Sequence, residues 1–206
     1  MHVGGLFCLG CGRAPPLPRA QVVFVGDGNN IVHSWLRFAA KVPIELVNIC
    51  PPGYEPDSKT VERARAGGVS RITISHDLND VKGADVIYTD VWASMGQKDT
   101  FEQRKKDFAV RGPSVASRFP GPTSPSALGN PDGACAPSMR LQGYTVDKAM
   151  MAKTNNALFM HCLPAERGFE VSDEVIESPN SVVFPEAENR MWAQMSVCLY
   201  ALGMLS

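Results

Sequence analysis

Gln21-Val22-Val23-Phe24-Val25-Gly26-Asp27-Gly28-Asn29-Asn30-Ile31 decides the fold. Its first half is an unbroken apolar run, short enough for a strand and apolar enough to be covered on both faces. The turn residues Asp27-Gly28-Asn29-Asn30 then hand the chain to a helix. Ile31, Trp35, Phe38, Ala39 and Val42 recur at helical spacing on one side of it. A buried strand feeding an amphipathic helix is the opening of a βαβ unit, and so of a parallel sheet.

The same alternation continues on the C-terminal side. A second strand is read at Glu45–Ile49, broken by Pro51-Pro52-Gly53, and Asp57 is placed to cap a helix that stops at Gly67-Gly68. Further strands are expected at Arg71–Ser75 and at 86–91, 157–161 and 181–184. A long last helix should turn Ala187, Met191, Met195, Cys198 and Leu205 inward. The fold class is therefore α/β: a Rossmann-like, mainly parallel sheet with helices on both faces. Such sheets bind ligands outside the carboxyl ends of their strands. That rule singles out three polar turns, following Gly26, Asp90 and Met160.

Composition narrows the classes further. The formal charge of −1 leaves no basic excess to displace phosphate counterions, so nucleic acid is not an expected partner. No apolar run approaches the roughly 20 residues that cross a bilayer, so no membrane is expected either. Two stretches depart from the rest. Residues 1–20 hold no acidic residue and 109–141 hold only Asp132, and proline gathers in both. Neither shows a period of 2 or 3.6, so both are read as disordered segments, the second interrupting a domain that spans 21–206.

Each turn carries its own chemistry. Gly26-Asp27-Gly28 resembles part of a dinucleotide fingerprint, but the second strand ends Asn48-Ile49-Cys50-Pro51, without the acid that would hold a ribose. Asp90-Val91-Trp92-Ala93-Ser94-Met95-Gly96 offers a carboxylate for an ammonium group, with a hydroxyl and amides for a carboxylate, a set suited to an amino acid. His161-Cys162-Leu163-Pro164 pairs an imidazole with a thiol, yet strand neighbours point to opposite faces, so one does not directly activate the other. Cys8 and Cys11 lack a second pair at zinc spacing, and no metal site or cofactor is expected. Glu186 and Glu188 open the last helix, where their charge suits its dipole.

Five segments, GDGNN (26–30), GYEPD (53–57), GADVIYTDVWASMGQKD (83–99), FMHCLPAERG (159–168) and VVFPEAENRMWAQ (182–194), together resemble the ornithine carbamoyltransferase family. In order and spacing they are similar to its ornithine-binding domain, and their wording is most like the plant and algal plastid forms. The resemblance implies transfer of a carbamoyl group from carbamoyl phosphate to the δ-amine of L-ornithine, giving L-citrulline and phosphate, a step of arginine biosynthesis. By motif, Asn30, Asp90, Ser94 and Met95 would hold ornithine. Cys162, Leu163 and Arg190 would serve carbamoyl phosphate, with Cys162 and His161 at the reacting centre. No covalent intermediate is implied.

The departures set further expectations. The family's Ser-Thr-Arg-Thr phosphate motif does not occur, so the carbamoyl phosphate-binding domain is expected to be absent and the chain to be inactive alone. The family runs directly from a phenylalanine to Gln-Gly-Tyr, whereas here 109–141 stands between Phe108 and Gln142-Gly143-Tyr144. The 33 codons from Val110 to Gln142 keep the reading frame and can carry intron borders, the pattern a retained intron leaves. Family members are commonly homotrimers, an assembly doubtful for such a fragment. In the family the last helix packs on the first domain, so Met191, Trp192, Met195 and Leu199 would be partly exposed here. A plastid is the expected compartment although no transit peptide is visible, with mitochondrion or cytoplasm as alternatives. Two other functions compete: a non-catalytic amino-acid-binding or regulatory domain that joins complete subunits, and a Rossmann-type NAD oxidoreductase.

Overall fold

The computed structural model describes residues 20–92, 101–109 and 143–204. The expectations for 1–19, for most of 109–141, and for Ser94, Met95 and Leu205 lie outside the described residues. Five strands form one parallel sheet: β1 (Gln21–Val25), β2 (Glu45–Ile49), β3 (Arg71–Ser75), β4 (Val86–Thr89) and β5 (Leu158–His161). Their order is β3-β2-β1-β4-β5, with Val23 beside Val47 on one side and Ile87 on the other. The chain grows outward from β1 in both directions, so the β1/β4 boundary is the point where a crevice opens at the carboxyl edge.

Alternate strand residues build two cores. Phe24, Leu46, Tyr88 and Met160 meet α1 (Asn30–Ala39) and α2 (Ser58–Ala66) on one face. Val23, Val25, Ile87 and Phe159 meet Trp92, Phe108, Tyr144 and Val175 on the other. Burial on both faces is why the strands read as continuous apolar runs. On the second face, Phe108 belongs to α3 (Phe101–Ala109), followed by the short α4 (Lys148–Met151) and α5 (Asp173–Ile176). Trp92 stacks on Phe108 at 5.3 Å, and the Phe108 and Tyr144 rings meet edge to face at 5.8 Å.

Local chemistry sets the first turn. Gly26 has φ +149° and donates its N–H to Ile49 O at 2.9 Å. Gly28 donates to Tyr54 O at 2.8 Å, and a Cβ there would stand 2.2 Å from the Pro56 backbone nitrogen. The two glycines thus let the loops after β1 and β2 touch. Asn29 caps α1, its side-chain oxygen accepting from Ile31 N at 2.9 Å, and Asp57 caps α2 through Thr60 N at 2.9 Å.

Two expectations fail at the C-terminal end. The strand expected at 181–184 is a single bridge from Ser181 to Phe159, and α6 (Val183–Ala201) begins at once. Pro185 explains this: it has no N–H for a ladder, but the first helical turn needs none. The buried side of α6 is also not the one expected. Val183, Glu186 and Ala193 face the interior, while Met191 and Met195 are 51 % and 48 % exposed, Cys198 is exposed and Ala187 is half-buried. Glu186 meets the Tyr88 hydroxyl and the His161 N–H on the sheet, and that contact sets which side of the helix faces inward. Met191, Trp192 and Met195 are exposed and Leu199 is half-buried, as the family resemblance implies. Among the described residues no helix is long and apolar enough to cross a membrane.

Candidate functional site

The three turns singled out by the sheet converge on Asp90. It follows β4 directly and is 7 % exposed, and each carboxylate oxygen has a fixed donor. Oδ2 accepts the Asn29 side-chain amide at 2.7 Å, from the turn after β1. Oδ1 accepts the Val91 N–H at 2.8 Å and the Cys162 thiol at 3.0 Å, the latter from the turn after β5. Burial first, and then the negative charge of Asp90, push the Cys162 thiol far above its usual range. Cys162 is therefore an S–H donor near neutral pH and not a thiolate nucleophile.

His161 points to the other face, as strand alternation requires. It is fully buried; its Nδ1 accepts the Leu163 N–H at 2.9 Å, which leaves the ring proton on Nε2 in the neutral form. Nε2 lies 3.3 Å from Glu170 Oε1 but without the alignment of a hydrogen bond. In this arrangement His161 and the buried Glu170 shape the turn from beneath. Leu163 is half-buried with φ +49°, a left-handed conformation unusual for a residue with a branched side chain.

The remaining sequence-derived residues divide. Asn30 is exposed in the first turn of α1, and its neighbour Asn29 makes the contact with Asp90. Arg190 is exposed on α6, one turn beyond the buried Glu186. Sequence reasoning missed four contributors: Asn29, Glu170, the role of Glu186, and the ion pair from Arg104 of α3 to Asp27 in the first turn. Arg104 also donates to Trp92 O at 2.9 Å and lies over the Tyr54 ring, locking three loops together. Only Asn29 had a local signal, since an Asn just before an apolar helix is a capping residue. The others depend on contacts between distant segments.

Comparison with known proteins places these contacts in a family. The family model for the aspartate/ornithine carbamoyltransferase Asp/Orn binding domain matches residues 19–110 and 135–201. The chain is 50% identical over 185 residues to the chloroplastic ornithine carbamoyltransferase of Pisum sativum, covering 89% of this chain and 40% of that protein. Among solved structures, the ornithine carbamoyltransferase of Pyrococcus furiosus superposes with a TM-score of 0.75 at 35% identity, covering 100% of this chain and 56% of its own. The anabolic enzyme of Campylobacter jejuni superposes with a TM-score of 0.77 at 27% identity, covering 98% of this chain and 58% of its own. The chain spans about half the length of the curated relatives it matches, 40% to 50% of each. Sheet order, turn chemistry and matched residues agree, and the chain belongs to the aspartate/ornithine carbamoyltransferase family through its Asp/Orn binding domain.

Proposed function

We propose that this chain is the L-ornithine-binding part of an ornithine carbamoyltransferase. The observation that carries the reading is the Asp90 carboxylate, held at the carboxyl edge of the sheet between the turns of β1 and β5. A buried carboxylate set among polar turns suits the α-ammonium of an amino acid. By family motif, Asn30, Ser94 and Met95 join Asp90 in holding the α-amino and carboxylate groups of ornithine.

The reaction joins the neutral δ-nitrogen to the carbonyl carbon of carbamoyl phosphate. The N–C bond forms, the C–O bond to phosphate breaks, and the amine proton leaves with phosphate or solvent. Such a transfer needs positioning and stabilisation of the oxygen charge, without a covalent enzyme intermediate. Cys162 contributes as an S–H donor that orients the incoming nitrogen. Leu163 N–H is turned inward by His161, so His161 acts through the shape of this turn. Arg190 is the cation on offer to carbamoyl phosphate from this chain, whose sequence lacks the family's Ser-Thr-Arg-Thr phosphate motif.

Calorimetric titration of the 206-residue chain with L-ornithine tests the reading, paired with an assay for L-citrulline. Saturable ornithine binding with negligible citrulline is expected, and no binding of ornithine, or binding of NAD in its place, defeats the proposal. The chloroplastic relative supports a plastid as the compartment, which fractionation of the source tissue tests.

A further inference from the structure

Helix α6 begins without a side-chain cap on its amides, although a carboxylate stands in its first turn. Such a carboxylate ordinarily serves its own helix. Glu186 does not. It is 3 % exposed, and both oxygens are engaged by the sheet: Oε1 accepts the Tyr88 hydroxyl at 2.8 Å and Oε2 accepts the His161 backbone N–H at 3.1 Å.

The two donors are placed alike. Tyr88 lies on β4 two residues before Asp90, and His161 ends β5 immediately before Cys162. One carboxylate therefore ties down both strand ends whose next residues make the Cys162–Asp90 contact. Tyr88 cannot shift freely, because its ring stacks on Phe24 at 5.8 Å and meets Trp35 at 5.6 Å. The charged and titratable groups facing Glu186 are Tyr88 from β4, His161 and Cys162 from β5 and its turn, and Arg190 on its own helix.

We propose that Glu186 is a positioning residue for the ornithine site: by holding β4 and β5 through one side chain, it fixes the approach of Cys162 to Asp90. The inference rests on the ornithine reading above for its functional meaning, but its geometric content is separable. Burial of Glu186 in the wild type is the price of this arrangement, and its charge further disfavours a thiolate at Cys162.

The test compares Glu186→Gln and Tyr88→Phe with the wild-type chain. Two readouts are taken: L-ornithine affinity by calorimetry, and the pH profile of iodoacetamide attack on Cys162, followed by peptide mass. Glu186→Gln should weaken ornithine binding about tenfold and speed Cys162 alkylation at pH 8 by about threefold or more. Tyr88→Phe should move both in the same direction by less. A merely structural role would lower the melting midpoint and leave both ornithine affinity and the Cys162 profile of Tyr88→Phe in place. If Glu186→Gln binds ornithine normally with an unchanged Cys162 profile, the proposal falls. If the wild type does not bind ornithine, the reading of function has failed, and the Cys162 profile of Tyr88→Phe, which keeps the Glu186 charge but cuts its tie to β4, decides whether Glu186 sets this contact. Should Glu186→Gln not fold, Tyr88→Phe decides by the same two measurements.

Discussion

The Cys162 thiol donates to Asp90 Oδ1 across 3.0 Å, although 72 residues of chain separate them. The sheet closes that gap: β4 and β5 run side by side, pairing Thr89 with His161, so the residue following each strand meets its counterpart. The thiol satisfies a carboxylate lone pair that a substrate ammonium can take over. Burial, and then the charge of Asp90, keep the sulfur protonated.

Replacing the carboxylate tests that account. Asp90→Asn should weaken L-ornithine binding by about 1.5–3 kcal/mol, the range for a hydrogen bond to a charged group. It should also lower the Cys162 thiol, because the negative neighbour that raises it is gone. Iodoacetamide should then modify Cys162 faster at pH 8 to 9, as read by peptide mass.

Glu186 makes stability depend on pH in an unusual direction. Burial pushes its carboxyl from 4.5 up to about 7, against the opposing hydrogen bonds from Tyr88 and His161. The folded state thus holds this proton more tightly than the unfolded chain does. Its contribution is fully present below pH 4.5 and is lost as pH rises through about 7, amounting to about 3 kcal/mol. Urea denaturation at pH 5 and pH 8 should show this loss in the wild type and a flatter difference in Glu186→Gln. Glu55, held low by hydrogen bonds from its own N–H and from Gly53, and Asp57, held low by the Thr60 hydroxyl and N–H, act at the acid side of this window.

Gly28→Ala probes the meeting of the first two loops. The added Cβ would collide with the Pro56 backbone, which cannot rotate away. A loss of about 1–3 kcal/mol is expected, the usual cost of overpacking. Circular dichroism should show a melting midpoint lower by several degrees, with native secondary structure at low temperature.

Deleting 109–141 should leave the sheet intact. Tyr144 N–H donates to Phe108 O at 3.0 Å, and the deletion would make Phe108-Gln142-Gly143-Tyr144 a four-residue turn closed by that same bond. The family model itself skips 111–134. Shortening a closed loop lowers its entropic cost, so the melting midpoint should rise by a few degrees, worth about 1–2 kcal/mol. A fall in midpoint would show that the removed stretch contributes packing.

The sequence made the sheet legible because its strands are buried on both faces. Apolar runs such as Val22–Val25 have no other use in a chain this size. The helix caps at Asn29 and Asp57 were equally local, though one position separates Asn29 from Asn30, and only the fold shows which meets Asp90. Val182-Val183-Phe184 misleads for a physical reason: β-branched residues fit strands, but a first helical turn accepts them when packing favours it. The engagement of Glu186 could not be read at all. Its partners lie 98 and 25 residues away, and the same glutamate would look unremarkable in any capped helix.

The pairing of Phe108 with Tyr144 makes peptide continuity between them dispensable. A protease cut between the two would leave pieces joined by the β4–β5 ladder and by a cluster of stacked rings. The lost bond would cost the pieces only their high effective concentration. Separately produced 20–108 and 142–204 should therefore find each other in solution. The seam is a place where the gene can be opened, lengthened or divided while the sheet stays in register.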